Sequence, residues 1–308
     1  TSSTVADGYG SLDRFQANTA NTDEVPTNSQ VDVASGTTPY TLGFRKAFRM
    51  TNGNQTSGAG TLDRVCIIYN VEAQDLATSG WDYTSSSSFI TMQFWVKASV
   101  AQNYYVLLRS RDGTERGYVF ETGSLTADTW TKVVLKIPGN SNLSFDNNVN
   151  EGLDIYISQF WGTDRTDGGK SLNSWASYNG GSRTPDFTST WYTTDNATFE
   201  LTGVQFEVGS TATVFEHRSF GEELSLCQRY YQQGTSIGCG YGSANGYARG
   251  GYILATPMRA TPTVESLTNT GSGSIIANSF SADGGYVTYG SLGGSSAGIF
   301  SYTISAEL

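Results

Sequence analysis

From Phe89 to Ser99 the chain reads FITMQFWVKAS, with Ile90, Met92, Phe94 and Val96 on one side and Thr91, Gln93, Trp95 and Lys97 on the other. A period of two belongs to a half-buried strand, and a chain that repeats it has few folds open to it. The rhythm returns in TWTKVVLKIPG, where Val133, Leu135 and Ile137 oppose Trp130, Lys132, Val134 and Lys136 before Pro138-Gly139 stops the strand. YYVLLRSRDGTERGYVFE reads as a hairpin turning at Asp112-Gly113. LDIYISQFW and ATFELTGVQFEVG are further strands; in the second, both alternating sets carry apolar side chains, so the pattern does not choose a buried face. Gly, Ser, Thr and Asn abound, and the usual helix-surface residues are sparse. The reading is all-β: an antiparallel two-sheet sandwich of jelly-roll type over residues 1–214.

Composition changes after Gln233. The last 75 residues hold 15 glycines and no tryptophan, whereas all six tryptophans lie earlier. Short alternating pieces predict a small Gly- and Tyr-rich β-domain over 234–308, too thin to make a good core alone and expected to lean on the first domain or on sister chains. Between the two, residues 215–233 hold the best helix candidate, SFGEELSLCQRYYQQ. Ser219 stands at the cap with Glu222 three residues on, and Glu222 and Glu223 suit the positive end of the helix dipole. The chain's single histidine, His217, precedes this helix and is read as a packed structural residue; no GxSxG elbow accompanies it.

A net charge of −10 argues against nucleic acid, whose phosphates would be repelled. No apolar run is long enough for a membrane helix, so no membrane insertion is expected. Cys66, Cys227 and Cys239 show no CxxC spacing and are read as buried or free thiols. Thr1 opens the chain without signal-peptide character, which predicts a processed or partial segment.

The segment LTGVQFEVGSTATVFEHRSFGEELSLCQRYYQ, Leu201–Gln232, resembles one common to bacteriophage tail-fibre and virion-decoration proteins of marine and cyanobacterial phages. LDRF at 12–15, VEAQDL at 71–76, MQFWVKAS at 92–99, TADTWTKVVLKIPGN at 126–140, FDNNVNEGLDIYI at 145–157, SWASY at 174–178 and PMRATPTV at 257–264 extend the resemblance over roughly residues 10–265. Ala73 stands where those proteins have Gly, and Val214 where they have Pro. The resemblance implies a carbohydrate-binding-like jelly roll at the virion surface, on tail fibre or capsid exterior, in a homotrimer beside other virion proteins.

Sugar sites use aromatic faces against pyranose C–H groups, with polar side chains on the hydroxyls. The longest stretch without a clear strand, FWGTDRTDGGKSLNSWASYNGGSRTPDFTSTWY, supplies both. Its candidates are Trp161, Asp164, Arg165, Asn173, Trp175, Tyr178, Arg183 and Trp191. The alternative is that these tryptophans cover a sandwich edge or a subunit contact. GCGYGSANGYARGGY is a second candidate surface. Asp146, Asn148 and Asn150 alternate as at the start of a calcium loop, but Glu151 and Ile157 stand where Gly and an acid are needed, so an Asn-rich turn is preferred and no cofactor is expected. No acid pair sits in a recognisable catalytic motif. The expected role is therefore non-enzymatic: attachment of a virion to host-surface glycan. A capsid head-fibre or decoration protein is the first alternative and a glycan depolymerase the second.

Overall fold

The structure, a computed structural model, describes residues 2–3, 7–9, 14–239, 242–271, 273–294 and 297–308. It divides into two compact units, Thr1–His217 and Arg218–Leu308. The division falls inside the charged stretch, and the helix belongs to the second unit instead of standing free between two others.

The first unit carries β1 (Ser2–Ser3), β2 (Asp7–Tyr9), β3 (Phe15–Ala20), β4 (Thr27–Asp32), β5 (Lys46–Thr51), β6 (Arg64–Glu72) and β7 (Phe89–Ala98). It continues with β8 (Tyr105–Ser110), β9 (Arg116–Glu121), β10 (Thr131–Pro138), β11 (Glu151–Trp161), β12 (Trp175–Ser177) and β13 (Thr198–Val208). Short helices α1 (Thr38–Thr41), α2 (Ala73–Ala77) and α3 (Thr190–Thr193) interrupt them. One sheet runs β1-β4-β5-β13-β7-β10 and the other β12-β9-β8-β11-β6-β3-β2, with antiparallel pairing throughout. A single core fills the space between them. Met50, Met92, Phe94, Phe199 and Leu201 come from one sheet, and Ile67, Val106, Leu108, Phe120, Ile155 and Ile157 from the other. The fold is an all-β antiparallel sandwich.

Two bulges decide which side chains reach this core. In β13 the register against β7 shifts between Thr202 and Gln205, at Gly203. Phe199 and Leu201 face inward before it, and Val204 and Phe206 pack on the same core after it. The extra residue flips the phase, which is why ATFELTGVQFEVG showed apolar residues in both sets. Gly203 has φ +61°, and a Cβ there would meet the Phe44 ring at 2.6 Å, so the position requires glycine twice over.

The second unit contains α4 (Phe220–Gln228) and two three-stranded sheets. Its strands are β14 (Tyr231–Cys239), β15 (Gly242–Ile253), β16 (Thr263–Asn269), β17 (Ser274–Ser281), β18 (Gly284–Gly294) and β19 (Ala297–Ser305), in orders β14-β19-β16 and β15-β18-β17. The capping box on α4 is complete: the Ser219 hydroxyl accepts from Glu222 N, and the Glu222 carboxylate accepts from Ser219 N at 2.8 Å. Among the described residues the core here is two small clusters, Val287, Tyr289 and Phe300, and Leu254, Met258, Ile304 and Ala306. Ile253 and Phe220 remain 91% and 82% exposed.

Candidate functional site

β11 builds the site through the other bulge. Leu153, Ile155 and Ile157 face the core, and Asp154, Tyr156 and Ser158 face outward. The register against β6 then shifts between Ser158 and Phe160. Phe160 drops into the core, and Trp161 turns onto the outer face beside Tyr156, their ring centroids 5.8 Å apart. Cys66, Ile68, Leu107 and Val119 complete an apolar patch on that outer face. The segment 162–189 covers it, contributing Leu172, Tyr178 and Phe187.

Two of the residues expected to stack on sugar are core residues instead. Trp161 is 1% exposed beneath this segment, and Trp191, in α3, is fully buried with Nε1 donating to Thr198 O at 3.1 Å. An indole closed off by its own protein offers no face to a pyranose. Trp175 is half-buried: its ring packs on Tyr118, and Nε1 donates to Pro138 O at 2.7 Å. Tyr178 lies under the Arg109 guanidinium, 4.0 Å from the ring centroid.

The polar candidates gather more tightly. The Arg183 guanidinium is 5.3 Å from the Trp161 ring centroid and 5.9 Å from that of Tyr178. Arg183 N donates to Arg165 O at 2.9 Å, next to a parallel bridge between Thr166 and Thr184, so the two arginines are neighbours across the covering segment. Arg64, on β6, lies opposite Trp161 in the ladder and joins them. Burial, and then the Arg64 and Arg183 guanidiniums, hold the Arg165 pKa below its ordinary value. All three arginines are half-buried, and among the described residues none forms an ion pair. Asp164 is exposed, and its carboxylate accepts from Thr61 Oγ1 at 3.0 Å. Asn173 is exposed with φ +57°, its N–H donating to Val119 O at 2.7 Å, so it fixes the segment to β9.

Sequence reasoning missed Arg64 and Arg109, which come from distant strands. The available signal was their place in otherwise apolar strands, RVCIIYNVE and YVLLRS. It also missed an ion network further along the same face. Arg111 contacts Glu115 at 3.4 Å, Glu151 at 3.1 Å and Asp154 at 3.6 Å, and Arg109 holds Glu115 at 2.7 Å. Burial, opposed by Arg111, pushes the Asp154 carboxyl up to about 6; its Oδ2 accepts from Tyr156 at 3.0 Å while Oδ1 has no hydrogen-bond partner.

The stretch proposed as a weak calcium loop is built as a turn that anchors α2. Asn148 Oδ1 accepts from Asn150 N at 2.9 Å in an Asx turn, and the Asn148 and Asn150 carbonyls accept from Gln74 and Ala73, anchoring α2. Asp146 N–H donates to Asp112. No group of three or more His, Cys, Asp or Glu suited to a metal occurs among the described residues. His217 is hydrogen-bonded to Leu42 O at 2.8 Å and packs on Phe44 and Phe215. The second candidate surface and the N-terminal TSSTVADGYG fall largely outside the described side chains. In the second unit a polar hollow of about 400 Å³ lies on the β14-β19-β16 sheet, lined by Gln233, Thr235, Ser266, Ser301 and Thr303.

No family model and no curated protein sequence matches the chain. Among solved structures it is similar to the enzymatically active domain of tailspike protein 4 of bacteriophage CBA120 (11% identity, TM-score 0.34), covering 67% of this chain and 21% of that one. It thus spans about a fifth of the tailspike chain's length. It is similar to a CBM4 structure (13% identity, TM-score 0.31), covering 64% of this chain and 95% of that one. It is also similar to discoidin II of Dictyostelium discoideum (10% identity, TM-score 0.21), covering 80% of this chain and 77% of that one. These are distant likenesses, and they transfer no residue roles.

Proposed function

We propose that this is a non-enzymatic phage virion surface protein of the tail-fibre, receptor-binding type, which attaches to host-surface glycan. The observation that carries this reading is the segment 162–189. It lies pinned over one sheet of a rigid sandwich and presents Asp164, Arg165, Asn173 and Arg183, the last beside the Trp161 and Tyr178 rings. Loops fixed on a strand-built scaffold are where recognition usually sits. The resemblance of Leu201–Gln232 to phage virion proteins supplies the setting. The exposed Phe220 and Ile253, on a unit with small cores, support assembly with sister chains as a homotrimer. Weak sugar contacts would then be multiplied by valency.

Binding of the intact chain to host cells and to a glycan array tests the reading. Saturable binding is expected, and no binding to any host envelope or glycan would remove it.

A glycan depolymerase is the reading that the Asp154 network favours, because a buried acid with a raised pKa near Glu151 is a known arrangement of catalytic groups. Against it, the acids in that network share arginine partners, which fits structural ion pairing. Reducing-end release from host polysaccharide, lost in Asp154→Asn and Glu151→Gln, would establish the enzyme instead.

A further inference from the structure

We infer that Arg64, Arg165 and Arg183 form a subsite for an anionic oxygen substituent, a sugar carboxylate or sulfate, so that the glycan bound here is an acidic polysaccharide. This rests on the glycan-attachment reading and names its substrate class. Three guanidiniums are always charged, and bringing them together costs energy unless an anion joins them. Arg165 and Arg183 are fixed side by side by the backbone bond and bridge between their segments, and Arg64 is held by the β6–β11 ladder.

Among the described residues no nearby acid forms an ion pair with these arginines. Asp164 is bonded to Thr61, Asp167 to Ser182 and Gly169, and Asp186 to Thr166. The hydrogen bonds that Arg165 and Arg183 do make use Nε on the Leu62 and Gly180 carbonyls, at 3.3 and 3.1 Å. Among the described residues their Nη groups are unspent, and the buried Nε of Arg64 has no partner. A guanidinium fork with free terminal N–H groups matches a carboxylate or sulfate edge. The Trp161 ring under Arg183 limits that side chain's motion, which lowers the ordering cost of binding. Hydroxyls of a neutral sugar would leave the positive charges uncompensated. The chain as a whole carries −10, so polyanions are repelled overall, and their capture would report a local site.

The test is titration of the intact chain with oligogalacturonate, dextran sulfate and neutral dextran, followed by the same titrations on Arg165→Gln/Arg183→Gln and on Arg183→Lys, with thermal melts confirming that each variant folds. The inference expects binding to an acidic polymer, no binding to dextran, and an affinity loss of about tenfold or more in the double glutamine variant. It expects a smaller loss in Arg183→Lys, which keeps the charge but not the fork. Binding to oligogalacturonate alone identifies a carboxylate subsite, and binding to dextran sulfate alone a sulfate subsite. Acidic-polymer binding that the variants leave unchanged overturns the inference, as does a preference for neutral glycan; both leave glycan attachment standing. Absence of binding to every glycan and host envelope overturns the attachment reading itself.

Discussion

Two charge clusters on the outer faces of the sandwich are handled in opposite ways. On the six-stranded sheet, Glu200 lies directly opposite Arg49 on β5 and Lys97 on β7. Its carboxylate is 2% exposed and is closed from both sides, by Arg49 at 2.6 Å and Lys97 at 2.8 Å. Over the seven-stranded sheet, Arg64 on β6 and Arg165 and Arg183 on the covering segment converge, and among the described residues none of them forms an ion pair. A buried charge that meets its counter-charge on neighbouring strands is part of the scaffold. Cations gathered without one are a cost to the fold, tolerated where something outside the chain supplies the anion. The comparison separates the groups that hold the protein together from those it displays.

The largest expected effect breaks the support under the displayed face. Trp161→Ala should remove roughly 3–5 kcal/mol of stability, read by urea unfolding, because it empties a buried site between Tyr156 and the covering segment. A loss under about 1 kcal/mol would show that the segment does not depend on this side chain. Next is Glu200→Ala, which leaves Arg49 and Lys97 facing each other unpaired. The expected loss is about 3 kcal/mol by the same measurement, and an unchanged midpoint would refute the structural role assigned to the clamp.

Asp154 sharpens the comparison on the seven-stranded side. Its folded pKa of about 6 exceeds the ~3.9 of an unfolded aspartate, so the folded state binds the proton more tightly between those values. Its contribution is fully present below the unfolded pKa and is lost as pH rises through about 6. Wild-type stability should carry a component that falls by up to ~2 kcal/mol across pH 4 to 6.5, and Asp154→Asn should lack it. An identical pH slope in the variant would contradict this.

How much of this the sequence showed follows from strand phase. Ile90, Met92, Phe94 and Val96 alternate without a bulge and lie in the core as the period of two predicts. Val133 and Ile137 are buried likewise, while Val134 faces solvent. The α4 cap was legible because a capping box is a local pattern. Trp161 was not, because one extra residue after Ser158 turns it from one face to the other, and no period records a bulge in advance. Trp191 was missed because exposure in a long loop was assumed, where a short helix buries it. The arginine cluster could not be read from spacing at all: Arg64 stands about a hundred residues before its partners, and only the β6–β11 pairing brings it near.

The most direct measurement is urea unfolding of Arg165→Gln/Arg183→Gln beside Glu200→Gln under one set of conditions. If the first pair exists for display, its removal should change stability by no more than about 0.5 kcal/mol, or raise it, while Glu200→Gln loses about 2 kcal/mol or more. If the arginine variant loses as much as the clamp variant, those guanidiniums hold the fold together and the division between scaffold and displayed charge is wrong.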